Sequence, residues 1–275
     1  MAVESGTQSS QAWQPMTPGG AAAFGAASWG RLGIFLALFG AFIALGVVWL
    51  VHTAVFPVIG EGVKKLPASG RVSAGALAWS AGSPVLLAEG RVIAFAVDLE
   101  HTGAVHVPSD LFVQFGRNTW RISSIAGFAE WPYRRDVLME FNRPVLEPWW
   151  GAWRMPILWL VFLGAMLLLM AWWVVQATLY LPIALLLAFY TDRAAKIAAM
   201  WRVCAAAILP ASLMVYLGIV LYGGAMISLV TFCLLVAGHV PLGIAFVVAA
   251  TLALPREKGL HGSSKNPFSG RKSDE

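Results

Sequence analysis

The chain has 275 residues, of which 59% are apolar and 12% charged, with 13 Trp, 15 Phe, 2 Cys and a formal charge of +5. Its mean hydropathy is +0.72. Soluble domains carry about 25% charged residues. These values exclude a disordered chain and a disulfide scaffold, argue against a purely soluble protein, and leave a charge too diffuse for nucleic acid.

Residues 1–28 are rich in Gly, Ala, Ser and Gln without an apolar period, and read as a disordered cytoplasmic tail. The first uncharged run covers residues 32–51, from Leu32 to Val51. About 20 apolar residues cross the hydrocarbon core. A signal peptide has a shorter apolar region, about 7–15 residues, close to the start. The run therefore reads as an uncleaved anchor, transmembrane helix 1.

Residues 57–155 read as an extracytoplasmic β-rich domain ending in a Trp-rich stalk. Arg71 to Trp79, Pro84 to Ala88, Arg91 to Asp98, Val105 to Val107, Leu111 to Phe115 and Thr119 to Ser123 are short runs rich in β-branched or aromatic residues. Turn signals at Ala81-Gly82-Ser83, Glu89-Gly90, Thr102-Gly103, Pro108-Ser109-Asp110 and Gly116-Arg117-Asn118 separate them. The spacing predicts a small antiparallel sheet. At about 65 residues its core is marginal alone, so it needs the helices, a second copy or another protein. Trp131, Pro132, Tyr133 and Pro144 to Trp153 form the stalk. Trp149, Trp150 and Trp153 are its candidate interface residues.

The second apolar run extends from Ile157 to Tyr190. As one helix it would exceed the bilayer core, and Pro182 is the natural break. Transmembrane helix 2 is placed at 157–179 and a cytoplasmic or interfacial helical segment at 183–202. Within the latter, Thr191 or Asp192 can cap a short amphipathic helix. Its Arg193, Lys196 and Arg202 can meet anionic lipid. Helices 3 and 4 fall at 203–222 and 228–254, with a tight turn at Gly223-Gly224. Residues 255–275 read as a second disordered cytoplasmic tail. It contains an Asn266-Pro267-Phe268 tripeptide, best explained by chance.

Four spans put both termini on one side. That side carries Arg31, Arg193, Lys196, Arg202 and the basic tail. The loop between spans 1 and 2 has ten basic and nine acidic residues, and a loop that long translocates largely regardless of charge. The termini are thus expected in the cytoplasm. The expected fold class is membrane α-helical, four transmembrane helices with a β-rich domain inserted between helices 1 and 2.

Three stretches carry a further resemblance: Leu66-Pro67-Ala68-Ser69-Gly70 before a strand, Ile93 to Asp98 followed by Thr102-Gly103, and Trp201-Arg202-Val203 leading into Ala205 to Pro210. With this layout the chain resembles a family of bacterial four-span membrane proteins, one branch of which is associated with maltodextrin utilisation. The resemblance covers roughly residues 30–254. It implies an accessory protein of the bacterial cytoplasmic (inner) membrane and carries over no catalytic residue.

Two polar constellations stand out. Asp98, Glu100, His101, His106 and Asp110 could gather across a hairpin closed at Thr102-Gly103. They lack zinc-motif spacing, and a solvated hairpin is the expectation, with no metal. His239 lies near the middle of helix 4, where an ionisable group is a functional hypothesis by default. Gln176, Ser212, Tyr216 and Thr231 are its possible partners. A packing histidine, a proton or ligand pathway and haem ligation are the readings of His239. Haem lacks a second axial ligand at matching depth. Cys204 and Cys233 are expected apart, as free thiols. Gly33, Ala37 and Ala41 form a candidate helix-packing stripe. Phosphate loops, nucleophile elbows and dinucleotide fingerprints are missing.

The functional expectation is a non-enzymatic membrane accessory or scaffold subunit without cofactors. Its partners would be membrane lipid and either other membrane subunits or copies of itself. The alternatives are a small carrier, channel or proton-linked protein using His239, and a metal-dependent enzyme built on Asp98 to Asp110.

Overall fold

The computed structural model describes residues 14–193 and 196–256. The C-terminal tail beyond, with its Asn-Pro-Phe tripeptide, lies outside the described residues, as does the start of the N-terminal tail. Four helices are long and apolar enough to cross a membrane. A small β domain is inserted between the first and second. The chain forms two compact units. One holds the described residues up to Ile43, Met166–Gly218 and those from Cys233 onward. The other holds Ala44–Ala165 and Ile219–Phe232.

In the first unit, the expected N-terminal tail is ordered in part. Helix α1 (Pro18–Ala23) starts on Thr17, whose Oγ1 accepts from the Gly20 N–H at 3.1 Å, and has proline in its first turn. Ala21 and Phe24 are fully buried. Arg202 donates to the carbonyls of Phe24 and Gly25 and lies over the Trp29 ring. This explains the order: the guanidinium expected on lipid closes the C-terminal end of this short segment instead.

Helix α2 (Trp29–Leu50) contributes Leu32 and Ile43 to the core of this unit. The long helix α4 (Arg143–Tyr190) contributes Trp173, Ala177, Tyr180, Ala184 and Ala188. Helix α5 (Ile197–Gly223) buries Met200 and an unbroken stretch from Val203 to Leu209. Four alanines within Ala205–Ala211 let neighbouring helices approach closely. Helix α6 (Leu229–Leu252) adds Val247 and Ala250.

Two helix boundaries differ from the sequence reading. Helix α4 runs unbroken through Pro182, over 48 residues or about 72 Å. Proline forfeits one hydrogen bond, whereas a helix end strands four carbonyls. Its end comes at Asp192, which is left-handed (φ 53°), with Arg193 N–H bonded to Ala188 O. That is a Schellman ending. Thr191 and Asp192 thus finish α4 rather than cap the next helix. The turns from Ile197 to Arg202 belong to α5 itself.

The second unit begins within α2, which passes into a π turn, Val51–Val55, and then helix α3 (Phe56–Lys64). The cause is Pro57, whose ring crowds the carbonyl four residues back and which has no N–H to give it. The Phe56 N–H reaches back to Val51 O.

Two sheets follow. Strands β1 (Gly70–Ser73), β2 (Ala76–Trp79) and β8 (Met139–Glu140) form one, in the order β2-β1-β8. Strands β3 (Val85–Glu89), β4 (Ile93–Val97), β5 (Leu111–Phe115), β6 (Thr119–Ser124) and β7 (Gly127–Pro132) form the other in sequential order. The run from Arg71 to Trp79 is a hairpin, turned at Ala74 and Gly75, both with positive φ. Strands β4 and β5 are parallel, so the sheet is not purely antiparallel. Residues 98–110 are therefore a crossover, as a parallel pair requires. Val105 to Val107 lies in it without strand structure. Leu66, Val72, Leu77, Leu87, Val97 and Phe141 make the core of the domain.

Helix α3 packs on the β domain. Gly62 of α3 lies against Ala88 and Leu87. A Cβ at Gly90 would stand 2.5 Å from Val58. The stalk expected at Pro144 to Trp153 is the start of α4. Asn142 caps it, its Oδ1 accepting from Val145 N–H at 3.2 Å.

Candidate functional site

Sequence reasoning singled out His239 and Gln176, and the fold brings them together. Gln176 Nε2 stands 3.0 Å from His239 Nε2, and both residues are buried. Trp172 Nε1 donates to the same ring nitrogen at 3.4 Å. His239 Nδ1 bonds to Val236 O one turn back. A carbonyl can only accept, so Nδ1 carries the proton. Nε2 is then the acceptor for two N–H donors, and the partners assign the neutral imidazole.

Tyr180 completes the cluster. Its hydroxyl accepts from Gln176 Nε2 at 3.2 Å and donates to Val240 O at 2.9 Å. Its ring fills the space beside Gly243, where a Cβ would lie 3.2 Å away. Trp172, Gln176 and Tyr180 recur every fourth residue, on one face of α4. That spacing was the available signal for Trp172 and Tyr180. Gln176 Oε1 is buried and has no hydrogen-bond partner among the described residues. The cluster offers a buried hydrogen-bond acceptor at Gln176 Oε1. The other suggested partners go elsewhere. Ser212 donates to Leu209 O, Tyr216 packs on Phe42, and Thr231 pairs with Ser228.

The acidic and histidine residues of the crossover disperse. Asp98 Oδ2 accepts from the Thr102 hydroxyl and the Gly103 N–H, each at 3.1 Å. Burial pushes its carboxyl up, but the bonds from Thr102 and Gly103 outweigh this and hold it below its ordinary 3.8. Glu100 pairs with Arg117. His101, left-handed at φ 49°, bonds Thr119 at 3.0 Å. Gly116 leaves room for the ring, since a Cβ there would lie 2.2 Å from its Nε2. Asp110 accepts from the Tyr222 hydroxyl at 2.6 Å, while Arg91 donates to the carbonyls of Tyr222 and Ile227 and covers the Tyr222 ring. This clamp ties the β domain to the end of α5. His106 does not return across a hairpin to meet Asp98 and Glu100, because β5 runs parallel to β4. Among the described residues, no three His, Cys, Asp or Glu side chains converge as a metal site.

The remaining candidates are more scattered. Trp149 and Trp153 stack on each other, exposed, at 6.2 Å. Trp150 packs edge-on against Phe56 at 4.8 Å. Cys204 is buried, Cys233 exposed, and both are free. The Gly33-Ala37-Ala41 stripe makes no close approach at Gly33, where a Cβ would meet nothing within 4 Å. The tight position on this helix is Gly40, against Met166, Met170 and Trp173.

Strand β7 is the unforeseen feature. It is an edge strand with all six residues exposed. Phe128 is 68% and Trp131 42% exposed, and they point to opposite faces. Trp131 stacks on Trp120 of β6.

Comparison with protein-family models, with curated proteins and with solved structures finds no match. The family resemblance therefore rests on the quoted residues alone.

Proposed function

We propose that the chain is a non-enzymatic accessory or scaffold subunit of a bacterial cytoplasmic membrane. In this reading both termini are cytoplasmic and the β domain projects on the far side, to contact another membrane subunit. The observation that carries it is β7. Among the described residues β7 is an unpaired edge, and its six residues are all exposed even with Trp131 stacked on Trp120 and Arg121 over Phe128, so it lacks the covering that sheet edges normally have. A partner strand pairing along that edge would supply it. The sequence stretches that resemble the bacterial four-span family agree with such a role.

The test is a photocrosslinking residue at Phe128 in native membranes. An adduct to one other membrane protein is expected. The absence of any adduct would overturn the reading. So would crosslinking only between copies of this chain.

The His239 cluster favours a second reading, a small carrier or proton-linked protein. Its support is the unpartnered Gln176 Oε1, which could take a hydrogen bond from a passing solute. Substituting His239→Phe would abolish transport by reconstituted vesicles in that case and leave the Phe128 adduct unchanged.

A further inference from the structure

Helix α3, the start of α4 and His52 of the π turn line a cleft of about 450 Å³. Phe56, Gly60 and Trp150 give it an apolar wall, and His52, Lys64 and Arg154 line it with nitrogen. Glu61 and Glu147 also face it, but both are engaged: Lys65 holds Glu61 at 2.7 Å and Arg143 holds Glu147 at 2.9 Å. Lys64 and Arg154 have no ion pair among the described residues. With Lys65 and Arg143, four cations therefore meet two carboxylates. Among the described residues the excess positive charge has no counterion.

The position of the cleft along the helices narrows its ligand. His52 directly follows the apolar run Leu32 to Val51. Arg154 precedes Ile157, where the next apolar run starts, by three residues. Both mark the end of an apolar stretch, the level at which Trp and snorkelling Arg meet headgroups. Gly60 admits the Trp150 indole, whose Nε1 would be 3.4 Å from a Cβ there. An anion bound here would thus have charged groups above and an aromatic wall below.

We infer that this cleft binds the phosphate of a phospholipid headgroup between Lys64 and Arg154, with the glycerol and first acyl carbons against Phe56 and Trp150. The inference rests on the reading that the apolar helices cross a bilayer. Phosphate is the shared chemistry of a lipid headgroup and a soluble phosphate. The apolar wall selects the lipid.

The experiment is native mass spectrometry of the full chain in mild detergent. The probes are dioleoylphosphatidylglycerol, dioleoylglycerol (the same chains without phosphate) and inorganic phosphate. One phosphatidylglycerol should be retained and dioleoylglycerol lost. The double variant Lys64→Gln, Arg154→Gln should retain phosphatidylglycerol about thirtyfold more weakly. Glu147→Gln, which removes a negative charge from the wall, should retain it about fivefold more tightly. Arg134→Gln, remote on an exposed β-domain loop, should change nothing. Equal retention of the two lipids, or unchanged retention in the double variant, overturns the inference. Displacement by equimolar inorganic phosphate overturns the lipid assignment in favour of a soluble phosphate compound. Should the double variant fail to fold, Glu147→Gln and the paired lipids still decide. Carbonate extraction of the same membranes tests the bilayer reading separately.

Discussion

Asp98 in the β domain and His239 in α6 are both buried polar side chains, and they draw their hydrogen bonds from opposite kinds of partner. Asp98 takes its bonds from residues four and five positions onward, within one turn of the crossover. His239 takes two of its three from α4, 63 and 67 residues away in sequence. In a mixed sheet domain, backbone N–H groups of turns are at hand for a carboxylate. Inside a bundle of apolar helices the backbone is committed to itself. A ring nitrogen there must be met by a side chain from another helix, or by its own previous turn, as Nδ1 is by Val236. Asp98 is therefore a local device that shapes one loop. His239 is bonded at long range, and its ring joins one face of α4 to α6.

That contrast can be broken at either end. Asp98→Ala should have the largest effect, about 2–3 kcal/mol, because it removes charge-assisted bonds and leaves turn donors unpaired. Hydrogen exchange should locate the loss in the crossover and β4–β5. Its pH dependence follows from the carboxyl lying below its ordinary value when folded. The stabilisation is fully present above pH 3.8 and disappears as pH falls through the lower folded value. The difference in melting temperature between wild type and Asp98→Asn should shrink only under strongly acidic conditions. A difference that closed between pH 5 and 7 would put the carboxyl in a different state.

Tyr222→Phe deletes the hydroxyl that donates to Asp110 and should cost about 1 kcal/mol. Proteolysis of the β domain is a suitable readout. Because Arg91 keeps its carbonyl bonds, the clamp should loosen rather than open. The smallest effect is expected at the histidine. A double-mutant cycle of Gln176→Leu and His239→Leu should give a coupling of about 0.6 kcal/mol, the usual size for polar pairs between apolar helices. Zero coupling would make the two residues neighbours rather than partners.

Much of this was legible in the sequence, and the failures have physical causes. The four apolar stretches and strands β3 to β6 could be read from runs and turn residues, and one further run covered β1 and β2 together. Both His239 and Gln176 stood out because a polar group is conspicuous in an apolar run. Their meeting did not, since helix azimuths are set by packing. The parallel β4–β5 pair was invisible because alternation along a strand is the same whichever way its neighbour runs. Thr102-Gly103 looked like a hairpin turn, yet Asp98 uses it to lead the chain out of the sheet. The Pro182 break was overcalled by weighing the cost of proline without the larger cost of a helix end. Strand β7 was missed because Trp131 and Pro132 drew the segment into a stalk.

The turn after α5 has one more lesson. Gly223-Gly224 reads as the flexible element, but Gly223 is there for space: a Cβ would lie 2.4 Å from the Trp49 ring. The left-handed position is Ala225, at φ 58°, with Met226 N–H bonded to Leu221 O. A non-glycine residue there carries a conformational penalty that glycine would not. The chain thus keeps unused thermal reserve at a single codon. Ala225→Gly is the substitution with which to build a hardier preparation for biochemistry, without touching the cleft, the histidine cluster or the exposed strand.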